Sequence, residues 1–167
     1  MCLGRPRTRR VARTTTKDVD PARSAQMARV RGKDTKPELM VRRTLHAAGL
    51  RFRLQARDLP GRPDIVFRSR RIAIFVHGCF WHRHDDPGCK LARMPKSRQE
   101  FWGPKLAANA ERDSRNIEAL LKAGWAVEIV WECDLGPERL SRLIDRVRAK
   151  APRSPSRAAK SELKDAD

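Results

Sequence analysis

The sequence predicts an α/β domain, a mixed central sheet flanked by helices, on three observations. Ile72-Ala73-Ile74-Phe75-Val76 is a nearly continuous apolar run, the pattern of a central strand covered on both faces. Segments with helical apolar spacing and recognisable end signals lie on both sides of it. Shorter strand-like runs, separated by Gly- and Pro-rich turns, sit between them. The 167 residues suffice for one such domain with its own core.

Residues 1–23 are rich in Arg, Thr and Pro without periodicity and read as a disordered basic arm. The folded domain is expected over 24–150. Ser24 opens a short helical stretch containing Met27 and Val30. A second helix begins at Thr35, where Thr35 and Glu38 match the S/T-x-x-E capping box, and Gly49 suits its end. Its apolar face carries Val41, Leu45 and Ala48, and Glu38 falls on that same face. Phe52–Leu54 reads as a first strand. The turn-rich Asp58-Leu59-Pro60-Gly61-Arg62-Pro63 leads into a second, Asp64–Phe67, and Ser69-Arg70 makes a tight turn into the central run. His77–Pro95 is irregular. A long helix follows, from Ser97 or Pro104 to Ala123, with Gly124 as its stop. Ala126–Trp131 is a strand, Pro137–Arg148 the last helix, and 151–167 a flexible tail with Pro, Ser and mixed charge. There is no internal repeat.

Lys and Arg number 38 against 20 Asp and Glu, a formal charge of +18, so the expected partner is a polyanion and nucleic acid leads. The longest apolar stretches are strand-sized, which argues against a membrane role. No apolar signal core follows Arg10, so a cytoplasmic protein is expected. Four cysteines are few for a disulfide scaffold. In a reducing compartment they point to free thiols or metal ligands.

Cys79, His84 and Cys89 stand at C-x4-H-x4-C spacing, and Cys133 follows the strand Ala126–Trp131. Thiolates and an imidazole suit tetrahedral Zn²⁺, and four protein ligands would close the site, making it structural. The alternative is three buried thiols and a surface histidine. Asp64 opens a strand after Pro63, where a carboxylate can hold Mg²⁺ near a phosphate; the alternative is a turn-capping aspartate. His77-Gly78-Cys79-Phe80-Trp81-His82-Arg83-His84 packs three histidines and two aromatics into eight residues. His77 and His82 remain free for acid–base work or phosphate contact if His84 binds zinc. Phe80 and Trp81 either pack on the core or insert between base steps. Glu38 completes a cap or reaches the same metal or water as Asp64.

Pro60–Phe67 (PGRPDIVF), Phe75–His82 (FVHGCFWH), Glu100–Trp102 (EFW), Asn109–Asp113 (N-x-x-R-D) and Gly124–Cys133 (GWAVEIVWEC) together resemble the Vsr endonucleases of very short patch repair, in the right order over residues 24–148. The resemblance implies a restriction-endonuclease-like fold. It implies Mg²⁺-dependent nicking of double-stranded DNA 5′ to the thymine of a T:G mismatch, such as arises when 5-methylcytosine deaminates. By motif match, Asp64 and the backbone carbonyl of Val76 would hold Mg²⁺. His77 and His82 would be catalytic, with Glu38 an accessory acid. Phe80, Trp81 and Trp102 would form a wedge at the mismatch, with Met27 a further DNA contact. Cys79, His84, Cys89 and Cys133 would bind Zn²⁺. Such an enzyme would act as a monomer in the cytoplasm, at the nucleoid, with a MutL-type repair factor as a partner. Two rivals remain at this point: a restriction-like nuclease with another target, and a non-catalytic zinc-braced DNA-binding protein.

Overall fold

The computed structural model describes residues 32–152. The basic arm, the short helix with Met27 and Val30, and the tail beyond Pro152 lie outside the described residues. The elements run α1 (Lys36–Ala47), β1 (Arg53–Leu54), β2 (Ile65–Phe67), β3 (Ile72–His77), α2 (Gln99–Lys122), β4 (Ala126–Trp131) and α3 (Pro137–Ala149). The four strands form one mixed sheet in the order β1-β2-β3-β4. β1, β2 and β3 are a short antiparallel meander, and β4 joins β3 in parallel after the long α2 crossover.

β3 is covered on both faces, and its period-2 alternation divides the core. Ile72 and Ile74 face a cluster with Val41 and Leu45 of α1 and Leu140, Leu143 and Val147 of α3. Ala73 and Phe75 face the other cluster, with Val66, Leu120 of α2 and Trp125. The sheet is therefore a middle layer between α1/α3 and α2. His77, next in the odd series, falls on the α2 face.

Helix ends follow the sequence. Thr35 caps α1 with its side chain accepting from Glu38 N–H. Gly49 (φ 78°) and Gly124 (φ 76°) sit just past α1 and α2 in the left-handed conformation. In each case the next residue's N–H reaches back to a carbonyl five residues earlier, Leu50 to Leu45 and Trp125 to Leu120. α2 starts at Gln99, so Pro104 lies inside the helix, near enough to its start that the lost bond to Glu100 is tolerated.

Candidate active site and metal centre

The turn before β2 delivers Asp64 to the end of the sheet. Its Oδ2 accepts a 2.8 Å hydrogen bond from the Val76 N–H of β3. Gly61 makes this turn possible: it sits at φ +71°, and a Cβ there would meet the Asn116 side chain at 3.0 Å. In an extended strand the N–H and C=O of one residue point to the same edge, so the Val76 carbonyl faces Asp64's side. His77 C=O points the other way, accepting from Glu132 N–H. Asp64 Oδ1 and the Val76 carbonyl are hard oxygen donors at one strand edge, a set that fits a divalent cation of the magnesium kind. Burial, above all, raises the Asp64 carboxyl to about 6; Val76 N–H lowers it, the nearby Glu38 raises it, and Arg42 and His82 lower it.

His77 and His82 stack almost face to face, with ring centroids 3.9 Å apart and planes 7° from parallel. His77 is buried, and its Nδ1 has no hydrogen-bond partner among the described residues. Burial, then the neighbouring His82, depress it to about 4, so it is a neutral imidazole at pH 7 despite the opposing pull of Asp113. His82 Nδ1 lies 2.5 Å from Asp113 Oδ2. The carboxylate thus fixes the ring's orientation and leaves Nε2 for another partner. His77, His82 and Asp113 offer ligand or proton-transfer atoms all within 4.8 Å of one another.

Asp113 is a candidate site residue that its motif alone does not single out. The signal is nonetheless in the sequence. On α2 the inward stripe runs Trp102, Leu106, Asn109, Asp113, Ile117, Leu120, helical spacing throughout, with Trp102, Leu106 and Leu120 buried and two half-buried polar residues in the middle of an otherwise apolar face. A polar interruption of that kind needs a partner. Asn109 finds the Trp81 carbonyl at 3.2 Å and Asp113 finds His82. Asn116, one turn beyond, lines a small cavity with Phe75, His77, Asp113 and Ile117.

Glu38 is buried and fully engaged. Oε1 accepts from Thr35 Oγ1 at 3.0 Å, and Oε2 accepts from Asp34 N–H at 3.0 Å and Arg42 Nη2 at 2.7 Å. This differs from a simple capping box, in which the carboxylate would take only the cap's own N–H.

Phe80, Trp81 and Trp102 form one aromatic cluster with ring centroids 5.1–5.9 Å apart, all edge to face. Trp102 is buried and backs the half-buried Phe80 and Trp81. Phe101, which sequence patterning does not mark as a site residue, extends the cluster into solvent at 44% exposure, flanked by the Arg98 guanidinium at 4.9 Å and the Lys105 ammonium at 5.4 Å. Gly78 allows the loop to turn here: a Cβ would meet Glu132 Oε2 at 3.0 Å and Trp81 at 3.3 Å.

Cys79, His84, Cys89 and Cys133 converge, their ligand atoms all within 4.8 Å of one another. Cys133 Sγ lies 3.3 Å from His84 Nδ1, near the roughly 3.5 Å that two such donors keep on a tetrahedral zinc ion. Burial and the neighbouring thiols push Cys133 up to about 12. Desolvation also pushes Cys89 upward, but hydrogen bonds from His84, the Leu91 backbone and the other thiols outweigh it and bring Cys89 down to about 7. The donor set and spacing fit a metal ion, whose binding would displace the thiol protons. Trp131 links the two centres: its ring stacks on His84 at 4.1 Å and meets His77 edge-on at 5.1 Å. Met27 lies outside the described residues. Among those described, no helix is long and apolar enough to cross a membrane.

Comparison with known proteins gives the family. The family described as DNA mismatch endonuclease Vsr matches residues 16–88. The type II nicking enzyme V.XorIIP of Xanthomonas oryzae pv. oryzae is 55% identical over 124 residues, 71% of this chain and 89% of that protein. The DNA mismatch endonuclease Vsr of Escherichia coli is 47% identical over 120 residues, 71% of this chain and 75% of its own length. The type II nicking enzyme V.NmeAIP of Neisseria meningitidis is 40% identical over 131 residues, 75% and 91% of the two chains. This removes the non-catalytic rival: the chain is a DNA endonuclease and belongs to the Vsr family of DNA mismatch endonucleases.

Proposed function

We propose that this enzyme nicks double-stranded DNA 5′ to the thymine of T:G mismatches, by Mg²⁺-dependent hydrolysis, in very short patch repair. The observation that carries the reading is the convergence of Asp64, Val76, His77, His82 and Asp113 beside an aromatic cluster, in a chain of this family. The antiparallel meander with Asp64 bonded across to β3, and the parallel β4, support a restriction-endonuclease-like core.

Asp64 and the Val76 carbonyl would hold Mg²⁺. Bound there, the ion supplies Lewis-acid polarisation of the phosphate and stabilises charge on the leaving oxygen. His82 is the general base: Asp113 keeps its proton on Nδ1, and Nε2 takes a proton from the attacking water. His77, neutral and stacked on His82, limits that ring's rotation and orients the water. The products are a 3′-hydroxyl and a 5′-phosphate. Glu38 lies in the electrostatic neighbourhood of Asp64 and serves as an accessory acid. Phe80 and Trp81, backed by Trp102, fill the gap opened at a weak T:G step. Met27 is assigned a DNA contact on the resemblance alone. Cys79, His84, Cys89 and Cys133 would hold Zn²⁺, which would pin the 78–98 loop to the end of β4. The enzyme works as a monomer in the cytoplasm, at the nucleoid, with a MutL-type factor as partner.

A single-turnover assay on an end-labelled T:G duplex tests the reaction. A nick with ligatable ends that needs Mg²⁺ and is lost in Asp64→Asn supports it. Undiminished nicking by Asp64→Asn refutes the assignment of the centre.

A further inference from the structure

An imidazole at a reacting centre is ordinarily oriented by a hydrogen bond to one of its nitrogens, as Asp113 orients His82. His77 differs. Its Nδ1 is buried and has no hydrogen-bond partner among the described residues. Rings hold it instead. His82 covers it face to face at 3.9 Å, Phe75 lies tilted against it at 5.7 Å, and Trp131 meets it edge to face at 5.1 Å and 71°.

Trp131 is the best anchored of these three. It is the last residue of β4 and pairs with His77, the last residue of β3, in the parallel ladder. The next residue, Glu132, donates its N–H to the His77 carbonyl at 3.0 Å. On its other side the half-buried indole stacks on His84 at 4.1 Å and 19°. His84 Nδ1 lies 3.3 Å from Cys133 Sγ, inside the cluster of three thiols and one imidazole. His82, His77, Trp131 and His84 therefore form a continuous row of four rings, with one end in each centre. An aliphatic side chain at 131 could fill the space. Only a planar ring imposes an orientation on the rings beside it.

We propose that Trp131 is a positioning residue of the nuclease centre: held by its stack on His84, it fixes the orientation of the His77 ring against His82. The Cys/His cluster then sets the geometry of the centre as well as bracing the loop. The inference rests on the reading of His77 and His82 as part of that centre.

The test compares Trp131→Leu and Trp131→Phe with the parent in the full-length, metal-loaded protein. Steady-state nicking of the T:G duplex, metal content and thermal melting are measured for each. The nuclear Overhauser contact between the His77 and His82 ring protons reports the stack itself. Trp131→Leu should weaken that contact and lower kcat at least about tenfold with KM within about twofold, since small misplacements at a reacting centre cost orders of magnitude in rate. Its metal content should match the parent's. Trp131→Phe keeps a ring and should restore the contact and bring kcat to within about threefold of the parent. A merely structural role would lower the melting temperature and leave both readings unchanged. Parental kcat in a folded Trp131→Leu protein, a kcat loss with the ring contact intact, or no rescue by Trp131→Phe would each overturn the proposal. If Trp131→Leu fails to fold or sheds its metal, Trp131→Met takes its place, and the same failure there marks Trp131 as core and overturns it. A fully active His77→Gln or Asp64→Asn variant would instead overturn the underlying reading of the centre. The ring contact needs no substrate, so the two failures are distinguishable.

Discussion

Burial lifts the Asp64 carboxyl to about 6 because the group loses solvent at the end of the sheet; the charge of Glu38 adds to the rise, with only the Val76 N–H, Arg42 and His82 opposing. The metal-free protein carries this as a stability cost. A folded-state value raised above the ordinary 3.8 means a stability contribution that is full below about pH 4 and lost as pH rises through 6. At pH 8 the penalty for a carboxyl raised this far is about 3 kcal/mol. Asp64→Asn keeps an oxygen acceptor for Val76 and removes the charge. It should therefore be about 2–3 kcal/mol more stable than the parent at pH 8 in chelator, with the difference vanishing toward pH 4. Mg²⁺ should close the gap by stabilising only the parent. His77 contributes with the opposite sign: its value is depressed to about 4, so its share is present above pH 6.5 and fades as pH falls through 4. Comparing the two proteins at each pH cancels it. Denaturant titrations at pH 4, 6 and 8 check this, and an Asp64→Asn protein less stable than its parent at pH 8 would contradict the electrostatic account. At this scale the sequence shows Asp64, His77 and His82 through local motifs. Asp113 meets its partner 31 residues away, and only the fold shows which partner it has.

The elements were the most legible level. β4 is where its apolar run places it, α1 and α2 end at their glycines, and the doubly covered β3 reads directly from Ile72–Val76. The loop from Gly78 to Arg98 was legible only as irregular, because its geometry is set by side chains meeting at a distance rather than by periodicity. Cys133 supplies one anchor from beyond β4, so the loop's placement depends on a long-range thiol cluster. Cys133→Ser should lose the bound metal, expected as one Zn²⁺ per chain, and lower stability in the same step. Elemental analysis and melting of the variant measure both; a folded parent with no zinc would contradict the assignment. The aromatic half of the loop makes a different demand. If Trp81 works on DNA, Trp81→Ala should nick T:G DNA at least about tenfold more slowly while keeping its zinc, because base–aromatic stacking returns roughly 1–3 kcal/mol. If it is core, the variant should instead lose about 3–5 kcal/mol of stability. A stable, zinc-loaded Trp81→Ala enzyme with parental nicking would remove the wedge role.

At the scale of the whole molecule, a charge of +18 points to DNA before any motif does, but it carries no specificity. Phosphate contacts by exposed arginines would draw the enzyme to any duplex. Selectivity must come from what the central layer assembles at one end of the sheet. There the candidate catalytic residues lie against the aromatic cluster on one side, with Trp131 joining His77 to the loop that carries the Cys/His cluster on the other. On the proposed reading, that adjacency would couple opening a weak base step to hydrolysis nearby. It is also the part of the molecule that no single segment of sequence displays, since it draws on α1, β2, β3, α2 and β4 together. The central claim is mismatch-directed, single-strand cleavage. Its most direct test is strand-specific labelling of three duplexes identical but for one pair, T:G, T:A and C:G, each incubated with the zinc-loaded enzyme and Mg²⁺. The expected result is a nick in the thymine strand alone, immediately 5′ to the mispaired thymine, at least about a hundredfold faster than any cut in the matched controls. Equal cleavage of matched and mismatched DNA, or cutting of both strands, would contradict it.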